Sequence, residues 1–366
     1  MSRLSIDCVL TESCNLRCEH CFQRHMLNNL PTIESLQTLL PLLNSVVDEE
    51  AAKKESLTQF DISYRGGEIF QDKIPDEVIK AYGDLTLDIK NKEIMQYIRF
   101  GVDFVSNGMF EKRERVLELL NRTNGQISIS FDPVGRFTTD KQRELFETNA
   151  KYFAENGRLK TVDITLTKEA IYAYMNNPDL LEQISEYNID ISYFIPNKRS
   201  HSPTDDELFN FFKFLFEKSF YNFEYVKLMI DYARGTLQQI PRCCNCANTV
   251  VIYDGKVYKD CSILIPNWKK EDYYDDPSKA EGDNVVMKLT EQGINKRGCL
   301  SCEHYESCPM FCWMMLNHKN HVVGECPHKR IFDFIKNDPD ILKDFSSNGE
   351  GEPDLVEEDN YDDIEV

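Results

Sequence analysis

The sequence has no apolar run near the roughly 20 residues that a membrane-spanning helix requires. Its longest apolar stretches, such as 310–316, fall far short, which excludes a bilayer span. The first ten residues hold one Arg and an apolar run broken by Asp7. The layout of a secretory signal is missing, so a cytoplasmic location is expected. Positive charge is also scarce, with 42 Lys and Arg against 62 Asp and Glu and a net charge of -20. Binding to a phosphate backbone rests on Lys and Arg neutralising phosphates, so nucleic acid is not an expected partner. Part of the imbalance is local, because 350–366 carries nine carboxylates and no Lys or Arg. That composition reads as a solvated, disordered tail. Internal repeats are absent, and the tail is the one segment of low complexity.

What the chain has in excess is cysteine. Its 13 cysteines are grouped rather than scattered, which in a cytosolic protein points to metal rather than to disulfides. The groups are Cys14, Cys18 and Cys21; Cys243, Cys244, Cys246 and Cys261; and Cys299, Cys302, Cys308, Cys312 and Cys326. Cys8 stands alone in an apolar run and reads as a small core residue.

Strand-like runs at 5–11, 58–64, 97–105, 126–131, 161–166 and 189–194 alternate with helix-like runs at 33–47, 76–87, 112–121, 140–155, 178–186 and 205–218. Six βα repeats predict an α/β fold, a partial (β/α)6 barrel around a parallel sheet. Thr204 followed by Glu207 is a capping box that starts the last of these helices. In such barrels functional groups gather at the C-terminal ends of strands. The first cysteine group follows strand one, Gly66-Gly67-Glu68 follows strand two, Ser106-Asn107-Gly108 follows strand three, and Asp132 ends strand four. Beyond about residue 220 the alternation stops. The expected organisation is a barrel at 1–225, a small cysteine-rich domain at 226–335 ending in a short helix near 331–335, and the acidic tail at 336–366.

The first group reads Cys14-x3-Cys18-x2-Cys21. A structural zinc site closes with four ligands, whereas a cuboidal iron-sulfur cluster held by three cysteines leaves one iron open to a small molecule. A zinc knuckle that borrows His20 or a distant residue is the competing reading. The triplet after a first barrel strand resembles the signature of the radical S-adenosylmethionine (SAM) superfamily. The resemblance implies a 4Fe-4S cluster whose free iron chelates the SAM amino and carboxylate groups. One departure is His20, where the family usually has an aromatic residue; its planar ring, with Phe22 beside it, can replace part of that packing. Gly66-Gly67-Glu68 is similar to the family's Gly-Gly-Glu motif, which implies that Glu68 meets the SAM ammonium. Ser106 and Asn107 resemble its ribose and methionine contact, and Ser130 and Asp132 its strand-four segment.

The C-terminal set resembles the SPASM domain, an auxiliary-cluster module of radical SAM enzymes that modify peptides and proteins. The run Cys299-x2-Cys302-x5-Cys308-x3-Cys312 carries the resemblance, since zinc ribbons favour paired Cys-x2-Cys knuckles. By that resemblance one auxiliary 4Fe-4S cluster takes Cys246, Cys261, Cys312 and an upstream cysteine, and the other takes Cys299, Cys302, Cys308 and Cys326. Cys243 is preferred to Cys244 as the upstream ligand, because its two-residue gap to Cys246 makes the easier chelate. Cys244 is then a buried spare thiol or a hydrogen-atom donor.

Three clusters and SAM imply reductive cleavage of SAM to methionine and a 5′-deoxyadenosyl radical, which takes a hydrogen atom from the substrate. Iron-sulfur potentials reach down to about -700 mV, low enough for that step. Two auxiliary clusters favour oxidative outcomes. The leading expectation is a maturase that crosslinks or otherwise oxidises a side chain of a ribosomally made peptide. Formylglycine formation of the sulfatase-maturase kind is second and epimerisation third, while a zinc-binding scaffold is the reading outside enzymes. Expected partners are a peptide or protein substrate and a low-potential electron donor such as flavodoxin or ferredoxin. Strand one begins by residue 5 and leaves no room for a leader-binding domain before it, so a separate leader-binding protein is a further expected partner. Asp132, Asp190, Tyr193 and Asp231 are the candidate proton acceptors.

Overall fold

Strand alternation sets the architecture. Along β1 (Ser2–Thr11) the side chains of Leu4, Ile6, Cys8 and Leu10 are buried, and Ser5, Asp7 and Val9 between them are only half-buried. The same two-residue period runs through β2 (Leu57–Gly66), β3 (Arg99–Ser106), β4 (Gln126–Phe131) and β5 (Leu159–Leu166), so one face of each strand is apolar. In this computed structural model, which describes residues 2–21, 30–52, 57–193, 201–235, 249–258, 285–308, 321–338 and 340–343, these strands and β6 (Ile189–Tyr193) pair in parallel in chain order. Parallel neighbours need crossovers, supplied by α1 (Ile33–Ala52), α2 (Asp76–Lys90), α3 (Arg113–Thr123), α4 (Asp140–Glu155), and the pair α5 (Lys168–Asn176) and α6 (Asp179–Glu182).

Between sheet and helices lies an aromatic core directly beneath the strand ends. Tyr64 stacks on Phe104 with ring centroids 5.0 Å apart, and Phe70 meets Phe104 and Phe110 at 5.8 and 5.6 Å. Each of these rings is fully buried, worth about 1.5–3 kcal/mol apiece. The alternate face is polar instead. Arg65 pairs with Asp7 at 3.2 Å, Lys160 and Ser128 reach Asp103 at 3.0 Å, and Thr161 donates to Asp163 at 2.7 Å. A closed barrel fills this side with packed apolar layers; here it is lined by hydrogen-bonding groups.

The sheet does not end at residue 225. β7 (Thr249–Tyr253) pairs in parallel with β1, and β8 (Lys256–Tyr258) turns back antiparallel on β7, giving the order β6-β5-β4-β3-β2-β1-β7-β8. Residue 225 itself falls inside a helix, because α7 (Asp205–Glu217) is followed by α8 (Glu224–Arg234). Further on come α9 (Val285–Arg297) and α10 (Pro327–Asn337), the latter packed against α7 and longer than the helix expected at 331–335. Pro327 starts α10 because Pro fits the first helical turn. Tyr97, expected to start the third strand, instead ends a 3-10 turn at Glu93–Tyr97, and β3 begins at Arg99. The helix expected at 178–186 is only one turn, α6, and α5 at 168–176, capped by Thr167, was not expected. The Thr204 capping box forms as read, with Glu207 N–H donating to Thr204 Oγ1 at 3.1 Å and Thr204 N–H to Glu207 Oε2 at 2.8 Å. Among the described residues, no helix is long and apolar enough to cross a membrane. The acidic stretch at 350–366 lies outside them.

Candidate active site

The first cysteine group sits where β1 ends, in a loop held from three sides. The Tyr253 hydroxyl of β7 donates to Glu12 Oε1. Gly67 N–H donates to Thr11 O and Glu68 N–H to Ser13 O, both at 2.8 Å. The buried Gln71 amide also donates to Ser13 O at 3.0 Å. This close approach explains the glycine pair. A Cβ on Gly66 would lie 2.2 Å from Thr11 O, and one on Gly67 2.2 Å from Ser13 O, both backbone atoms that cannot swing aside. The glycines therefore let the cysteine loop dock against the end of β2.

Glu68 is turned inward at the end of β2. Its side chain is fully buried, and it accepts from Phe70 N–H at 2.9 Å, from the Ser106 hydroxyl at 3.0 Å, and from Asn107 N–H at 2.6 Å. Burial pushes the Glu68 carboxyl up to about 7, against the opposing pull of the Asn107 and Phe70 N–H groups. The Ser106 hydroxyl serves Glu68 and accepts Gly108 N–H at 3.0 Å. Both side chains tie the end of β2 to the end of β3.

Asn107 reaches the cysteine loop itself. Its Nδ2 donates to Asn15 Oδ1 at 2.9 Å and lies 3.5 Å from Cys14 Sγ, while Leu16 N–H meets the same sulfur at 3.4 Å. The buried Asn149 of α4 props the loop after β3 from behind, donating to Gly108 O and Phe110 O at 2.8 Å. At β4, Ser130 is half-buried on the polar face, next to Asp163 by register. Asp132 is buried and folds back on its own loop, accepting from Val134 and Gly135 N–H at 3.0 and 2.9 Å. Its Oδ2 lies 3.3 Å from His20 Nδ1. His20 thus fills its place as a buried ring whose basicity is lowered by burial and partly restored by Asp132. Phe22 lies outside the described residues.

The donor set suits a cluster better than one ion. Cys14, Cys18 and Cys21 are half-exposed in one loop. Burial pushes the Cys14 thiol up to about 11 and raises Cys18, the latter partly offset by the Arg136 guanidinium, so a cation is needed to hold them as thiolates. Among the described residues, one set of three or more His, Cys, Asp and Glu ligand atoms lies within 4.8 Å of one another, namely Glu303, His304 and Asp333. The triplet sulfurs are spread wider, as ligands on separate irons of a cluster are. In the Glu303 set Lys329 already sits 2.6 Å from Asp333.

Further along, Cys299, Cys302, Cys308 and Cys326 are all half-buried, on two 3-10 turns and the N-cap of α10. After burial, the largest influence raising the Cys299 thiol is Cys326. Cys243, Cys244, Cys246, Cys261 and Cys312 lie outside the described residues. Of the candidate proton acceptors, Asp190 faces Asp163 by register. Burial and then Asp190 push the Asp163 carboxyl up to about 7. Tyr193 ends β6, and Asp231 is exposed on α8.

Sequence reasoning missed Asn15, Arg136 and Asp163. Asp163 was within reach of it, because it keeps the period of the half-buried positions of β5. Arg136 is half-buried with its Nε free of any hydrogen-bond partner, and nothing in its sequence neighbourhood marked it.

An open parallel α/β sheet with a cysteine triplet at the end of its first strand is the fold of radical SAM enzymes. Among solved structures the chain is similar to native anSMEcpe with bound AdoMet and the Cp18Cys peptide, at TM-score 0.63 and 15% identity over 95% of this chain and 99% of that one. That protein is an anaerobic sulfatase-maturating enzyme of the radical SAM/SPASM kind. It is also similar to Streptococcus suis SuiB bound to its precursor peptide SuiA, at TM-score 0.53 and 14% identity over 85% and 72% of the two chains. At such identities the likeness is one of fold. No protein-family model and no curated protein matches the sequence.

Proposed function

We propose that this chain is a radical SAM enzyme that modifies a ribosomally made peptide, crosslinking or otherwise oxidising one of its side chains. The observation that carries the reading is the triplet loop at the end of β1. It is docked through Gly66 and Gly67 and has two N–H donors at Cys14 Sγ, on a fold shared with enzymes solved with SAM and with peptides. In this reading Cys14, Cys18 and Cys21 hold a 4Fe-4S cluster, and bound SAM, cleaved with an electron from it, supplies the radical that takes a hydrogen atom from the substrate. The protein's own share is binding, orientation and exclusion of water. Arg136, with its unpartnered Nε beside Cys18, is suited to the SAM carboxylate. Asn107 and Ser130 remain near the cofactor, whereas Glu68, Ser106 and Asp132 act as supports. Asp163 and Asp190, paired by register, would take a substrate proton.

The C-terminal cysteines complete the proposal as two auxiliary clusters that would accept the electron released by substrate oxidation, while a flavodoxin or ferredoxin partner would supply the triplet cluster with the electron for SAM cleavage. Formylglycine formation is the second reading, favoured by near-complete mutual coverage with the sulfatase-maturating enzyme. Anaerobically purified protein should be brown, hold roughly four irons per cluster, and release 5′-deoxyadenosine from SAM under a strong reductant. Colourless protein loaded with zinc would sink the enzyme reading in favour of a scaffold.

The upstream auxiliary ligand can be assigned with single variants. Cys243→Ala should lower iron content and stability together, because cluster binding is coupled to folding of its loops, while Cys244→Ala should change neither. The opposite pattern in an iron assay and a thermal melt would make Cys244 the ligand. Retained iron and SAM cleavage with lost product in Cys244→Ala would mark it as the hydrogen donor of an epimerase.

A further inference from the structure

We propose that Asn107 donates an N–H···S hydrogen bond to Cys14 that sets the reduction potential of the cluster at the triplet, and that Glu68 is a positioning residue acting through Asn107. The proposal rests on reading Cys14, Cys18 and Cys21 as the cluster site.

Asn107 is 6% exposed, and each of its amide atoms is accounted for. Its Oδ1 accepts Met109 N–H at 2.8 Å, which fixes the direction of the amide. One Nδ2 hydrogen is then directed at Asn15 Oδ1, 2.9 Å away, and the other is left for Cys14 Sγ at 3.5 Å. Asn15 is itself held, donating to Met109 O at 2.6 Å. A cysteine sulfur bound to iron has no proton and can only accept. The Asn107 amide and Leu16 N–H then both direct positive dipole ends at it.

Glu68 controls where Asn107 stands. Its Oε2 takes Asn107 N–H at 2.6 Å, the shortest of its contacts, and the Ser106 hydroxyl bridges both of its oxygens. Gly108, in the left-handed region at φ 75°, then turns the chain so that Met109 N–H reaches the Asn107 side chain. The carboxylate is thus linked to the cysteine through one residue.

Hydrogen bonds to cluster sulfurs favour the reduced, more negative state and so raise the potential. Removing the Asn107 donor should lower the reduced-to-oxidised ratio at a given potential about tenfold, which for one electron is about 59 mV. The test is an anaerobic redox titration followed by electron paramagnetic resonance on the full chain, reading the reduced-cluster signal that is missing from a Cys14, Cys18 and Cys21 triple Ala variant.

Asn107→Ser keeps an oxygen to cap Met109 N–H but has no donor for the sulfur, and its midpoint should fall by that amount with iron content intact. Asn107→Asp is isosteric, keeps the same cap and puts an oxygen against the sulfur, so its midpoint should fall further. It is the variant to read if the Ser form loses iron. Glu68→Gln should lower the midpoint in the same direction, and the Glu68→Gln, Asn107→Ser double variant should fall no further than Asn107→Ser alone.

Unchanged midpoints in both Asn107 variants, with the cluster present and SAM still cleaved, would overturn this proposal and leave the proposed function standing. Wild-type protein that forms no cluster at the triplet would overturn both. A Glu68→Gln effect that adds in full to that of Asn107→Ser would refute the positioning role.

Discussion

Replacing Cys14, Cys18 and Cys21 together with Ala should abolish SAM cleavage and remove about one cluster's worth of iron, leaving the C-terminal iron in place. The expectation follows from separation. The triplet lies in a loop pinned to β2 and β7, while Cys299, Cys302, Cys308 and Cys326 are placed by 3-10 turns and by α10. The two sets share no ligand. Loss of Cys14 also leaves the Asn107 and Leu16 donors without an acceptor, at a cost of about 1–3 kcal/mol for each buried group. That penalty is small beside the expected loss of the cluster, which in the proposed function supplies the electron for SAM cleavage. Iron analysis and chromatographic assay of 5′-deoxyadenosine decide the matter. Continued formation of 5′-deoxyadenosine by the triple variant would show that the triplet is not the SAM site.

Asp205→Ala should destabilise the protein by roughly 3–5 kcal/mol, the cost of leaving a buried charge without its partner. Asp205 and Arg297 are both buried, joined at 3.0 and 3.1 Å, and His321 Nε2 lies 2.9 Å from the same carboxylate. Gly324 N–H adds a fourth contact at 2.7 Å. Burial alone would push the Asp205 carboxyl up, yet the His321 hydrogen bond and the Arg297 guanidinium hold it below its ordinary value. Its contribution is therefore present at neutral pH and is lost as pH falls through the depressed folded value. The difference between wild type and variant should be flat near neutrality and shrink in acid. Arg297 is two residues before Cys299, and Gly324 two before Cys326, so the variant should also lose iron from that set. Denaturant titration and iron analysis of the anaerobic protein test both parts. A variant within about 0.5 kcal/mol of wild type and with full iron would show that other contacts hold these segments.

The same residues show how far periodicity and spacing carry. The six parallel strands were legible because each βα unit buries one face, and burial imposes a two-residue period that any chain of this kind must display. Cys8, expected as a core residue, falls on the buried face of β1. The Thr204 capping box was legible because its partners are three residues apart. β7 was not, because its pairing with β1 joins residues some 240 positions apart and no local pattern records which edge a strand will find. The hydrogen-bond partners of Glu68 were not legible for a related reason. Its position after β2 could be read, but which partners its carboxylate meets depends on where Ser106 and Asn107 stand.

The sequence by itself determined the alternation of strand and helix, the grouping of the cysteines, and the glycine pair beside the first group, since each follows from local sterics or short spacing. Only the tertiary structure decided what each polar side chain faces. It turned Glu68 and Ser106 inward to join β2 to β3, aimed the Asn107 amide at Cys14, paired Asp132 with His20, and set Asp205 between Arg297 and Gly324. Hydrogen bonds and ion pairs act over about 3 Å and depend on direction. Their partners are chosen only when strands distant in sequence are brought side by side.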